Sequence, residues 1–112
     1  MSNKIKPVGY ERYKKREGWI VKVSDNPPLW RRKSNIIWEA VYGPVPEGYL
    51  LRFLDGNKNN CTLENIVCVS KYVHIYLNRF KEITDPELVR QLISVAELAE
   101  KRHLLYHSNI RF

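Results

Sequence analysis

No stretch of this 112-residue chain is apolar for the ~18 residues that a membrane-spanning helix requires. The first residues, MSNKIKPVGY, also lack the apolar core of a secretion signal, so the expectation is a cytoplasmic protein. Cysteine is scarce. Cys61 and Cys68 are the two present, and without an export signal they are expected as reduced thiols. Their spacing is not C-x-x-C, and a zinc set built from Cys61, Cys68 and His74 lacks a fourth ligand. Acid is scarce at one end. Residues 1–34 hold ten Lys/Arg against Glu11, Glu17 and Asp25, a balance of +7 that equals the formal net charge of the whole chain. The remaining 78 residues hold nine charges of each sign. A basic lobe on a neutral body points to a polyanion, most simply duplex DNA, and the plainer alternative is a basic surface without a specific partner.

What is present suffices for one domain over 1–112. Hydrophobic residues make up 44% of the chain, enough for a modest core. Met1–Lys6 reads as a loose arm. Tyr10–Tyr13 and Trp19–Val23 read as a β-hairpin with KKREG at its tip, where Lys14, Lys15 and Arg16 are either a solvated turn or a phosphate contact. Asp25-Asn-Pro-Pro28 is a breaker cluster. In Trp30-Arg-Arg-Lys33, the basic residues Arg31, Arg32 and Lys33 suit phosphate while Trp30 packs. Asn35–Tyr42 reads as a short helix with Ile36, Ile37, Ala40 and Val41 on one face, and Pro44 and Pro46 then enforce an extended linker.

The stretch 43–80, GPVPEGYLLRFLDGNKNNCTLENIVCVSKYVHIYLNRF, organises the rest. Two apolar runs, Tyr49–Leu54 and Ile66–Val69, flank the polar DGNKNN loop, and a helix follows Ser70. Thr84-Asp-Pro-Glu87 then reads as a capping box. It opens a helix over 84–105 of about five turns with Leu88, Leu92, Val95, Ala96 and Ala99 on one face. That helix is long enough to pair with a second copy, so a homodimer is one expectation. His103 and His107 stand i, i+4 near its end, either as a metal pair or as a polar terminus matched to the helix dipole. Leu105, Tyr106, Ile110 and Phe112 leave an apolar tail.

The order Ile37-Trp-Glu39, Gly43-Pro-Val-Pro-Glu-Gly48, Asp55-Gly-Asn-Lys-Asn-Asn60, Glu64-Asn-Ile66 and Ser70 resembles that of phage-encoded HNH endonucleases, the ββα-metal finger family. Gly9-Tyr10 and the helix after Thr84 extend the likeness over nearly the whole chain. The resemblance implies an α+β fold: a ββα finger with an N-terminal β-hairpin and a long C-terminal helix. It also implies a nuclease site, with a histidine as general base and one divalent metal on the phosphate oxygens.

Carried over position by position, that site is incomplete. The base falls on Phe53, which takes no proton. Its metal-binding neighbour falls on Arg52, always a cation. The histidine usual before the IWE helix falls on Ser34. The helix ligand, His74, is retained, and Asn60 and Asn65 are the candidates for holding the loop in shape. Asp55 beside the site is either a second metal ligand or a cap of backbone amides. One histidine does not by itself hold a catalytic metal.

The expectation is therefore a nucleic-acid-binding pseudoenzyme with no certain cofactor. Lys14, Lys15, Arg16, Arg31, Arg32, Lys33, Arg52 and Lys58 are its candidate phosphate contacts. Two alternatives stay open. One is an active nicking nuclease using Mg or Mn at His74 and Asp55. The other is a phage module that binds and inhibits a host defence protein.

Overall fold

The computed structural model describes residues 5–110, with side chains as far as residue 105. The side chains of Tyr106, His107 and Ile110, the residue Phe112 and the start of the N-terminal arm, with Lys4, lie outside the described residues. The fold is α+β. In chain order it runs β1 (Glu11–Lys14), β2 (Gly18–Asp25), β3 (Pro28–Arg32), α1 (Lys33–Tyr42), β4 (Tyr49–Phe53), β5 (Ile66–Ser70), α2 (Lys71–Leu77) and α3 (Pro86–Ile110). One-turn 3₁₀ segments cover Leu63–Asn65 and Asn78–Phe80.

The expected hairpin forms, with Tyr13 opposite Trp19 and Lys14 opposite Gly18. It is part of a larger sheet. The breaker cluster is the turn of a second hairpin, and Pro28–Arg32 returns along β2 to give the order β1-β2-β3. The basic run Trp30-Arg-Arg, read from sequence only as a phosphate-facing segment, lies in this third strand. Trp30 is half-buried, with the Arg12 guanidinium 4.5 Å above its ring and Tyr10 edge-on at 6.4 Å. Lys22, counted by sequence with the basic surface, is 3% exposed; its Nζ donates to the Lys6 carbonyl at 2.6 Å and pairs with Asp25 at 2.8 Å.

Helix α1 starts at Lys33, two residues earlier than expected, directly off β3. Its anticipated apolar face is split: Ile36 and Ile37 are half-buried, whereas Ala40 and Val41 are exposed. Val41 is 59% exposed, and Ser34 is the helix's one fully buried residue.

The finger is β4, β5 and α2. Strand β4 pairs antiparallel with β5 over Tyr49↔Ser70 to Phe53↔Ile66. The Ser70 hydroxyl then caps α2 by accepting from the Val73 amide at 3.2 Å, and itself donates to Glu100 of α3 at 2.9 Å. Val69, Val73 and Leu77 bury against Ala96 of α3, flanked by Val67, Tyr76, Leu92 and Ile93. The long helix is thus the floor on which the finger is built.

Two expectations for α3 are corrected. Asp85, not Thr84, caps it: the Asp85 carboxylate accepts from the Glu87 amide at 3.2 Å, and Pro86 is the first helical residue. The buried face is also rotated. Val89 and Ala96 are buried, whereas Leu88 and Val95 are 42% and 51% exposed and Leu98 and Leu105 are exposed further still, at 67% and 65%. A helix with more than one apolar stripe leaves the choice of face to what docks on it, and here α2 decides. Among the described residues no helix is long and apolar enough to cross a membrane.

Candidate nucleic-acid interface

The loop between β4 and β5 is held from inside by three side chains. Gly56, at φ +72, lets the chain reverse directly after Asp55. The Asp55 carboxylate accepts from the Asn57 amide (2.8 Å), from Asn65 Nδ2 (2.9 Å) and from Asn60 Nδ2 (3.0 Å). Asn65 is 5% exposed; its Oδ1 accepts from the Asp55 amide at 3.1 Å and its Nδ2 also donates to the Asn60 carbonyl at 3.0 Å. Burial alone would raise the Asp55 pKa, but the hydrogen bonds from Asn60, Asn57 and Asn65 outweigh it and hold the carboxylate below its usual range. Asp55 is accordingly engaged as an organiser of the loop, and its oxygens point to amide donors.

The same loop is fastened to the tip of the first hairpin. Lys58 Nζ donates to the Arg16 carbonyl at 2.6 Å and to the Lys15 carbonyl at 3.4 Å. Trp19 Nε1 donates to Asn59 Oδ1 at 3.1 Å. Gly18, at φ +79, lies so close to Lys58 that an added Cβ would come within 3.2 Å of the lysine's own. Lys58 therefore joins two loops, a role its charge alone did not suggest.

This junction forms one end of a cleft of about 630 Å³. Its wall gathers Phe53, Arg52 and His74, where the resemblance places the base and the metal-binding groups, and Ser34, where it places the histidine before the IWE helix. Arg16, Arg32, Lys58 and Lys71 line it too, with Glu17 and Glu47 as its carboxylates. Other basic residues singled out by sequence are not part of it. Arg31 Nη2 pairs with Glu39 at 2.7 Å and Lys33 with Glu11 at 3.0 Å, while Lys14 lies 3.9 Å from Glu17 and Lys15 is exposed. The single basic lobe expected from sequence is thus divided between paired surface charges and the cleft.

Arg52 occupies the centre. It is half-buried rather than directed to solvent, and its Nη1 donates both to His74 Nδ1 and to Asn78 Oδ1 at 3.0 Å. Because a guanidinium only donates, His74 Nδ1 must accept, which leaves the ring proton on Nε2. Burial, and then the charge of Arg52, push the His74 pKa below its ordinary value. Asn78 was not singled out by sequence. Its spacing of four from His74, one turn along the same face, was the signal available. Lys71 was likewise missed; it is the first residue of α2 and enters the cleft with that helix.

Among the described residues no group of three His, Cys, Asp or Glu side chains is placed to hold a metal ion. Cys61 donates to the Lys58 carbonyl at 3.4 Å and Cys68 stands in β5 opposite Leu51; both are separate thiols whose pKa burial raises. His103 stacks beside Tyr72 with ring centroids 5.6 Å apart.

Residues 31–75 match the HNH endonuclease family. The HNH-matching segment runs from the end of β3 through α1, both finger strands and most of α2, and so includes Ser34, Arg52, Phe53 and His74. The chain is also similar to Protein 3.8 of Escherichia phage T7, with 43% identity over 35 residues. That alignment covers 31% of this chain and 29% of the phage protein, so the chain spans under a third of the relative's length. No solved structure matches.

Proposed function

We propose that this chain is a nucleic-acid-binding protein of the HNH type whose finger grips duplex DNA without hydrolysing it. The observation that carries the reading is the replacement at the centre of the HNH segment. A guanidinium stands on His74 where the resemblance expects a metal-binding side chain, and Phe53 stands where it expects the base. A general base must accept a proton and a metal needs lone pairs, and this pair supplies neither. Arg16, Arg32, Lys58 and Lys71 around the same cleft suit the phosphate backbone, which rewards positive charge regardless of sequence. The reading requires no divalent metal, although HNH nucleases typically use one.

The test is supercoiled plasmid titrated with the protein, in EDTA and with Mg²⁺ or Mn²⁺, and resolved on a gel. The expected result is retarded, intact plasmid in either condition, with retardation relieved by salt. A nicked or linear band that depends on metal would restore the active-nuclease reading at His74. Plasmid unaffected even at low salt would remove nucleic acid from the account and favour a host protein as partner.

A further inference from the structure

We propose that the Nε–Nη2 edge of Arg52 is a seat for a single DNA phosphate that works without a divalent metal, a proposal resting on the nucleic-acid reading above. A guanidinium carries five N–H donors in a plane. The two on Nη1 are committed, one to His74 Nδ1 and one to Asn78 Oδ1, each at 3.0 Å. Among the described residues Nε and Nη2 make no hydrogen bond. They are not sealed in either, because no side-chain nitrogen or oxygen is both buried and unpartnered. His74 and Asn78 therefore fix one side of the group and leave the opposite, two-pronged edge free on a residue of the cleft wall.

That edge has the geometry for two parallel N–H···O bonds to the oxygens of a phosphate or a carboxylate. Its surroundings select phosphate. Arg16, Arg32 and Lys71, with Lys58 tied to the hairpin tip, line the same cleft against two carboxylates, Glu17 and Glu47, a net positive wall that suits neighbouring phosphates along a strand better than an isolated carboxylate. The arrangement also works against a metal. With Nδ1 of His74 accepting from Arg52 and its proton on Nε2, the imidazole has no lone pair left, and a divalent ion would face a fixed positive charge. Arg52 thereby supplies, as part of the polypeptide, the positive charge for which an HNH finger otherwise recruits an ion.

The experiment uses the full chain, ¹⁵N-labelled, in EDTA, with the Arg52 Nε–H resonance assigned by its loss in Arg52→Lys. A short DNA duplex is titrated in while electrophoretic retardation is measured on the same samples. The seat predicts a saturable shift of the Arg52 resonance that excess MgCl₂ leaves unchanged. It also predicts about tenfold weaker retardation for Arg52→Lys, which keeps the charge but loses the fork. A resonance that stays still while the duplex is retarded would overturn the seat and leave the nucleic-acid reading intact. A shift that requires Mg²⁺ would overturn the metal-independent part. Absence of both shift and retardation would overturn the seat together with the reading on which it rests.

Discussion

Arg52 Nη1 donates to His74 Nδ1 across 3.0 Å, so the finger helix's one histidine accepts a hydrogen bond from a cation on β4. Burial first, and the Arg52 charge second, lower its pKa. A base with a depressed folded pKa stabilises the fold above its unfolded value, about 6.5 for an imidazole, and loses that contribution as pH falls through the folded value. His74 should therefore titrate below the usual imidazole range when followed by its ring resonances in NMR. Arg52→Gln should move that titration upward. The return should be partial, because burial is the larger cause. An unmoved His74 titration in this variant would dissociate the two residues.

Replacing Asn65 should be the most damaging change in the finger loop. Its amide makes three hydrogen bonds from a position 5% exposed. Asn65→Ala leaves the Asp55 amide, the Asp55 carboxylate and the Asn60 carbonyl short of a partner. A loss of about 2–4 kcal/mol is expected in denaturant titration, from roughly 1 kcal/mol per bond and a larger cost for a buried group left unpaired. Asn59→Ala, which removes one exposed contact to Trp19, should cost well under half as much.

The division of the basic residues predicts two classes of DNA-binding variant. Arg16→Gln, Arg32→Gln and Lys71→Gln each remove a cation from the cleft. Each should lower the slope of log affinity against log salt by about one. Arg31→Gln and Lys33→Gln remove cations already paired with Glu39 and Glu11, and should leave that slope nearly unchanged. Equal effects from both classes would show that overall charge, and not the cleft, governs binding.

Ser70 joins the finger to its floor through one hydroxyl, which caps α2 at Val73 and reaches Glu100 on α3. Ser70→Ala should destabilise the fold by about 1–2 kcal/mol, the range for losing a helix cap. Glu100→Gln, whose side-chain oxygen still accepts from the hydroxyl, should cost less. Thermal unfolding of the two variants measures both.

The finger was legible because its signals are local. Two apolar runs around an Asp-Gly-Asn turn, followed by a serine-started helix, carry their own pairing and capping instructions. The third strand was not legible. Pro27, Pro28 and the charges of Arg31 and Arg32 mark a loop by composition, and they become strand only because β2 offers an edge to pair with. The packed face of α3 is half legible: periodicity finds Leu92 and Ala96, which do pack against α2, but it favours the exposed Leu88 and Val95 over Val89 and Ile93.

For the site, sequence determined the residue types and therefore the chemistry that each position excludes. Phe53 has no proton to exchange and Arg52 no lone pair, whatever the fold. What only the tertiary structure decided is how those residues are spent. Lys58 and Lys33 are tied to the hairpin and to Glu11, Asp55 faces its own loop, and Arg52 is clamped by His74 and Asn78 with one edge left over. The physical reason is that charge is a property of a residue, whereas a free donor is a property of its neighbours. Those neighbours come from β4, α2 and the hairpin tip, which are brought together only when the chain folds.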